Sequence, residues 1–231
     1  MTGPERDRES WRRYRFPLVC AIVLICGAAL YTYRVTRNPA GFFVDESSIA
    51  YNAYTISQSG RDEFGNSWPL YFRAFGDYKN PVFIYLLAAL FKLTGPSILT
   101  ARLLAAIAGV GAAVLLGLLA ARISRRRDVP IMVTGSALLT PWLFEISRVS
   151  MEVALYPFVL VLFLLCVHRA STRAQWAWVN VAGLVATLAL LTYTYSIGRL
   201  LAPLLALGLV LLSLASGCSA FYRSGFCTPC R

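Results

Sequence analysis

Long apolar runs separated by short polar segments constrain this chain more than any other feature of its sequence. A helix that spans a membrane needs about 20 largely apolar residues. Seven apolar runs recur along the chain, at residues 16–33, 81–93, 98–121, 129–144, 153–167, 176–193 and 200–214. The pattern predicts an all-α fold, a polytopic membrane helix bundle.

The composition favours a membrane protein and excludes several other classes. Hydrophobic residues make up 58% of the chain and charged residues 14%, whereas a soluble domain has about 45–50% and about 25%. This balance excludes an ordinary soluble enzyme and a disordered or collagen-like chain. The six cysteines do not indicate a small secreted disulfide scaffold in a chain of this size.

The net charge of +11 does not indicate nucleic-acid binding. Most of the basic residues lie in short clusters beside apolar runs, which is typical of the cytoplasmic ends of membrane spans. The first cluster lies in residues 1–15, just before the run 16–33. That run is too long for the core of a signal peptide, and no small-residue cleavage site follows it. We therefore expect a cytoplasmic N-terminus and an uncleaved first span.

The run 81–93 decides the topology because it either spans the membrane or lies along its surface. If it spans, the basic clusters at 122–127 and 168–173 face outward. If it lies along the surface, both clusters and the N-terminus face inward, as the positive-inside rule favours. The run is also short for a span. We therefore predict about six spans, with an interfacial helix at 81–93 and a long extracytoplasmic loop at about 35–97.

The long loop carries a second predicted helix. Residues 45–60 place Ile49, Ala53 and Ile56 on one face, and Gly60 is suited to end the helix. An amphipathic helix beside a membrane usually lies in the interface. The loop is therefore expected to carry interfacial helices.

Charged residues at membrane depth are costly and usually functional. On this topology one face of the membrane collects a set of them: Asp45, Glu46, Asp77, Lys79, Glu145, Arg148, Glu152 and Arg199. Because the topology rests on the cytoplasmic arginines alone, this convergence supports it independently.

The residues alone leave two roles open for Asp45, which begins the predicted loop helix. A carboxylate at a helix N-terminus can cap the helix. A carboxylate at this position can instead serve as a general base or polar anchor facing an acceptor hydroxyl.

The other charged residues have similar alternatives. Asp77 either pairs with Lys79 or is a solvated residue of the loop, whereas Lys79 can instead meet a phosphate group as a point charge. Arg148 and Glu152 are four residues apart, which fits a helical ion pair as well as separate binding roles. Arg199 follows interface tyrosines, where an arginine often extends its head group toward water.

Three segments carry a resemblance to a known family. They are VDESSIAYNAYTISQSGRDEFGNSWPLYFRAFGDYKNPVFIYLLAALFKLTG at 44–95, TPWLFEISRVSMEV at 140–153 and TYTYSIGRLLAPLL at 192–205. The first two resemble the first and second outer loops of the GT-C glycosyltransferases, and the third resembles their Tyr-x-x-x-Arg segment. The resemblance is closest to the bacterial branch of the protein O-mannosyltransferase and aminoarabinose transferase group, in glycosyltransferase family 39. It covers residues 16–214 with all blocks in order.

The resemblance implies an activity and a location. The donor would be a sugar on a polyprenyl phosphate, presented from the membrane. Transfer would reach a hydroxyl of a protein, lipid or glycan acceptor on the extracytoplasmic side, with inversion at the anomeric carbon. The chain would be a multi-pass protein of the inner (plasma) membrane.

The resemblance also implies residue roles. Asp45 would be the catalytic base, with Glu46 as its catalytic neighbour. The contacts to the substrate and its phosphate would come from Asp77, Lys79, Arg148, Glu152 and Arg199. No cofactor is predicted, and a divalent metal has no support because the sequence has no His/Cys ligand cluster. The lone His168 is expected to be structural, and membrane lipids are the other expected partners.

The C-terminal end departs from the family pattern. Members of the family have more spans, so we expect 16–215 to be the N-terminal half of a GT-C-like domain. Residues 216–231 contain Cys218, Cys227 and Cys230 and are expected to be a truncated or frame-shifted tail. The alternative function is a catalytically inactive membrane fragment or partner subunit. A transporter is disfavoured because no second half repeats the first.

Overall fold

The computed structural model describes residues 4–172 and 178–224, with side chains described for 16–172 and 178–214. The described part is mainly helical. In chain order its elements are α1 (Pro4–Thr32), α2 (Val44–Ser59), β1 (Phe72–Ala74), β2 (Asp77–Lys79), α3 (Pro81–Thr94), α4 (Ile98–Ile123), α5 (Asp128–Leu138), α6 (Pro141–Ile146), the 3-10 helix η1 (Glu152–Leu155), α7 (Tyr156–Ser171), α8 (Trp178–Thr194) and α9 (Gly198–Ser224). The predicted helical fold class is confirmed.

Two of the described helical segments are long and apolar enough to cross a membrane, Ile98–Ile123 and Glu152–Ser171. Five shorter apolar helices accompany them: Phe16–Thr32, Pro81–Thr94, Asp128–Leu138, Trp178–Thr194 and Gly198–Leu214. The count of six spans stays a prediction. Cys227 and Cys230 of the predicted tail lie outside the described residues.

The helix predicted at residues 45–60 is confirmed as α2. It ends at Gly60, whose φ of 70° lies in the left-handed region that glycine adopts without strain. Ile49, Ala53 and Ile56 form its buried face, as their spacing indicates. This face joins the main hydrophobic core, which holds α2 and its charged first turn in a fixed place.

α3 is the helix predicted to lie along the membrane surface. Pro81 occupies its first turn, where a missing N–H removes no helical hydrogen bond. Phe83, Ile84 and Leu87 are fully buried and pack toward α2, α4 and α8. At 1.5 Å per residue its 14 residues extend about 21 Å, less than the ~30 Å of a bilayer's hydrocarbon core.

The apolar run 129–144 forms two helices instead of one. α5 ends at Leu138, and Pro141 begins α6. The residue before a proline is disfavoured in helical conformation, and Thr140 is extended, with ψ of 117°. The Tyr31 hydroxyl donates a hydrogen bond to the carbonyl of Leu138 across 3.2 Å, which ties α1 to the break.

Small residues along α4 let neighbouring segments approach its backbone. Ala101, Ala105 and Ala112 are fully buried there. A Cβ atom at Gly109 would collide with the side chain of Ser147. The glycine therefore allows the segment between α6 and η1 to lie directly against α4, beside the charged residues described below.

The topology can be tested by cysteine labelling in a chain whose own six cysteines have been replaced. Ser67 is exposed between α2 and β1, and Ser124 follows α4. If α3 does not span the membrane, a cysteine at Ser67 reacts with an impermeant maleimide on intact cells. A cysteine at Ser124 then reacts only after permeabilisation. Reaction of both from the same side would contradict the topology.

Candidate functional site

A polar pocket of about 260 Å³ lies where the start of α2, strand β2, the start of η1 and the segment before α9 meet. Its lining residues are Asp45, Ile49, Asp77, Tyr78, Lys79, Met151, Glu152, Val153, Tyr195 and Ser196. We call it the Asp45 pocket. It brings together four of the seven residues that the sequence singled out.

Asp45 and Lys79 form an ion pair in this pocket. The Lys79 Nζ atom lies 2.7 Å from Asp45 Oδ1, and the two side chains are 19% and 43% exposed. The β1–β2 hairpin, which pairs Phe72 with Lys79, presents the lysine to α2. Lys79 therefore pairs with Asp45 and not with Asp77, and its contact with a phosphate stays a prediction. Asp77 accepts a hydrogen bond from the Tyr78 backbone instead.

Glu46, not Asp45, closes the N-terminus of α2. Its Oε2 atom accepts a hydrogen bond from the backbone N–H of Phe43, three residues earlier, as in a capping box. Asp45 belongs to the same first turn, and its hydrogen bond across the fold comes from Lys79. The local cap that the sequence suggested for Asp45 is thus provided by its neighbour.

The Glu46 carboxylate is fully buried and does not line the Asp45 pocket. It accepts hydrogen bonds from Arg102 Nε at 3.0 Å and Nη2 at 2.8 Å, and from the Ser150 backbone at 2.7 Å. Burial alone would raise the pKa of Glu46, but these donors together lower it below its usual value. The structure therefore places Glu46 as a support for Asp45 and not beside it in the pocket.

Arg102 is a buried supporting residue that sequence reasoning missed. It is fully buried in α4, and besides Glu46 it donates to the backbone carbonyls of Val35, Pro39 and Gly41. A lone arginine inside an otherwise apolar run was the available signal, because such a charge is costly unless it is paired.

Arg148 has a similar structural task and is not brought to the pocket. It is 3% exposed and donates to four backbone carbonyls, those of Leu30, Tyr31, Tyr33 and Asn38. The helical ion pair with Glu152 that the spacing suggested is not formed, since the segment between them is not helical. Arg148 and Arg102 together hold the connection from α1 to α2.

Glu152 and Arg199 meet the same residue, Asn80. Both Glu152 oxygens accept hydrogen bonds from Asn80, one from its backbone N–H and one from Nδ2 at 2.7 Å. Asn80 Oδ1 accepts from Arg199 Nη2 at 3.2 Å. The Arg199 guanidinium also lies 4.5 Å from the centre of the Tyr71 ring, within range of a cation–π contact.

Asn80 and Tyr71 were not predicted. Asn80 precedes Pro81, where an asparagine is a common helix cap, so its sequence context favours a local role. The side chain makes no cap hydrogen bond in the structure and reaches η1 and the start of α9 instead. Long-range contacts of this kind leave no trace in local sequence.

The site combines proton acceptors with cations. The pocket is lined by three carboxylates, those of Asp45, Asp77 and Glu152, and by the ammonium group of Lys79. Arg199 lies next to the pocket and donates a hydrogen bond to Asn80. Among the described residues no group of three or more His, Cys, Asp or Glu side chains is arranged to hold a metal ion. Such a set can accept a proton from a hydroxyl and bind an anion.

A family model matches a large part of the chain. The model described as dolichyl-phosphate-mannose-protein mannosyltransferase matches residues 78–219, which is more than half of the chain. The matched region contains Lys79, Asn80, Glu152 and Arg199, and it begins after Asp45. Neither the curated proteins nor the solved structures searched gave a match.

Proposed function

This chain belongs to the dolichyl-phosphate-mannose-protein mannosyltransferase family of GT-C membrane glycosyltransferases, and from that premise we propose that the Asp45 pocket is its transfer site. A polyprenyl-phosphate sugar is the donor, and an acceptor hydroxyl receives the sugar on the extracytoplasmic side. The acceptor is carried by a protein, a lipid or a glycan.

The observation that carries this proposal is the Asp45–Lys79 pair at 2.7 Å in an open polar pocket. A carboxylate and an ammonium group are the two functions that the transfer needs at one place. The carboxylate can accept a proton from the hydroxyl nucleophile. The ammonium group can bind the phosphate of the donor.

The proposed step is a single displacement at the anomeric carbon. Asp45 takes the proton of the acceptor hydroxyl while the hydroxyl oxygen forms a bond to the anomeric carbon. The bond from that carbon to the phosphate oxygen breaks, and polyprenyl phosphate leaves with the electron pair. Attack opposite the leaving group inverts the anomeric configuration. Lys79 exchanges its contact with Asp45 for the donor phosphate, which leaves Asp45 free to act as the base.

The remaining residues have supporting roles in this proposal. Glu152 and Asp77 line the pocket and can accept hydrogen bonds from sugar or acceptor hydroxyls. Arg199 is exposed and supplies a second cation on the phosphate side. Glu46 and Arg148 act from outside the pocket, by holding α2 and the segment that precedes it.

The proposal is tested by supplying membranes that contain the chain with a polyprenyl-phosphate donor carrying tritium-labelled mannose. The membranes themselves provide acceptors. We expect release of polyprenyl phosphate and transfer of the label at a rate well above that of membranes without the chain. Equal rates in the two preparations would contradict the proposed activity.

Lys79→Met is expected to weaken use of the donor. A charge-assisted hydrogen bond contributes about 1.5–3 kcal/mol, so KM for the donor should rise about 10- to 150-fold. Lys92→Met is the matched control, because Lys92 is the chain's other lysine and is exposed at the end of α3. If the two variants have the same KM, Lys79 does not bind the phosphate.

A further inference from the structure

The Asn80 side chain lies between two groups of opposite charge. Its Nδ2 donates to the Glu152 carboxylate at 2.7 Å, and its Oδ1 accepts from the Arg199 guanidinium at 3.2 Å. Asn80 is fully buried, and Nδ2 also contacts Ser196 Oγ at 3.3 Å. A single amide group thus separates an anion from a cation at the edge of the Asp45 pocket.

We propose that Asn80 is a positioning residue that acts as a neutral spacer, keeping Arg199 from pairing with Glu152. The charge of Arg199 then remains available for the phosphate of a polyprenyl-phosphate ligand. This inference rests on the proposed function and adds to it a reason for the position of Arg199.

Without the spacer, a direct ion pair would be favoured. Guanidinium and carboxylate groups form short, often bidentate hydrogen bonds, and Glu152 is 6% exposed, where attraction between charges is stronger than in water. Such a pair would neutralise Arg199 before any ligand arrived. The Arg199 guanidinium also lies over the Tyr71 ring, 4.5 Å from its centre, so the ring and the amide both contact it.

An asparagine suits this task through its donor and acceptor pattern. Its amide nitrogen offers donors to the carboxylate, while its amide oxygen offers an acceptor to the guanidinium. An aspartate would have the same size, but it would place a second negative charge next to that of Glu152 and would itself neutralise Arg199. An alanine would leave room for the two charged groups to meet.

The test measures binding of decaprenyl phosphate to the purified full chain in detergent micelles. It uses no turnover, so it does not depend on an acceptor. Asn80→Ala is expected to weaken binding about tenfold or more, the effect of losing one charge-assisted contact. Glu152→Gln in the same chain should restore most of the affinity, because it removes the anion that captures Arg199. A side chain with a purely structural role would change the melting temperature of these variants, measured in parallel, and leave the affinity of the folded protein unchanged.

Asn80→Asp keeps the size of the side chain and gives a second arm. We expect it to weaken binding as well, but Glu152→Gln should not rescue it, since the new carboxylate itself neutralises Arg199. The matched control is Asn52→Ala, because Asn52 is equally buried and contacts Ser48 and Glu63 instead of the pocket. Its binding should equal that of the wild-type chain.

The outcomes separate this inference from the proposed function. If the wild-type chain does not bind decaprenyl phosphate, the proposed donor is wrong and the spacer has no purpose. If the wild-type chain binds and folded Asn80→Ala binds equally well, the spacer inference alone is wrong. Failure of Glu152→Gln to rescue folded Asn80→Ala also overturns it. If Asn80→Ala does not fold, the Asn80→Asp variant decides the question. Recovery of its binding when Glu152→Gln is added would overturn the inference.

Discussion

Asp45→Asn is expected to lower the rate of sugar transfer about 10²–10⁴-fold, the usual effect of removing a general base. The protein should remain folded in the membrane. Asparagine keeps an oxygen that can accept the hydrogen bond from Lys79, and Glu46 provides the cap of α2 through Phe43. The variant therefore removes the proton acceptor with little change in geometry. The measurement is transfer of labelled sugar per molecule of membrane-inserted protein.

Asp128→Asn is a suitable control for this prediction, because Asp128 is exposed at the start of α5 and lies outside the pocket. It should transfer sugar at the wild-type rate. If Asp45→Asn retains near-normal transfer at normal abundance, Asp45 is not the base. The proposed mechanism would then be wrong even if the family assignment stands.

Arg102→Met is expected to produce the largest loss of stability. It leaves the Glu46 carboxylate buried with only two backbone donors, from Phe43 and Ser150, and it removes the donors to three backbone carbonyls. Breaking a buried ion pair by removing one partner costs about 3–5 kcal/mol, a large part of the about 5–15 kcal/mol that keeps a protein folded. Thermal unfolding in detergent, followed by size-exclusion chromatography, measures the effect.

Arg126→Met is the matched control for Arg102→Met. Arg126 also forms an ion pair, with Asp128 at 2.6 Å, but the two side chains are 77% and 50% exposed. A pair this exposed contributes little to stability, so the melting temperature of Arg126→Met should hardly differ from that of the wild-type chain. The double variant Arg102→Met with Glu46→Gln should recover part of the loss, because the buried charge is gone. A milder effect at Arg102 than at Arg126 would contradict this account.

The helices and the buried face of α2 could be predicted from the sequence because their signals are local. Apolar spacing and Gly60 were sufficient to predict α2, and the apolar runs were sufficient to predict helical structure. The break at Pro141 was less evident, since apolar character continues through it. Hydropathy alone does not determine the number of spans, because whether a helix crosses the bilayer depends on the helices that it packs against as well as on its length.

The arrangement of the site was not accessible in the same way. Asp45 and Lys79 were each predicted, but their contact joins residues 34 apart and depends on how the hairpin docks on α2. The partners of Glu46 and Glu152 lie 56 and 72 residues away. Spacing along the chain instead suggested nearby partners, such as Glu152 for Arg148. Local sequence therefore singled out the charged residues but not the residues that hold them.

The two buried arginines impose an order on the assembly of this protein in the membrane. Arg102 donates to three carbonyls and Arg148 to four, all between residues 30 and 41. Their separations in sequence reach 67 and 118 residues. The segment leaves the ribosome long before Arg148 is synthesised, and its carbonyls need other partners, such as water, until then. The segment that leads to Asp45 is thus made early, and its carbonyls gain their arginine partners only after α4 and α6 have been synthesised.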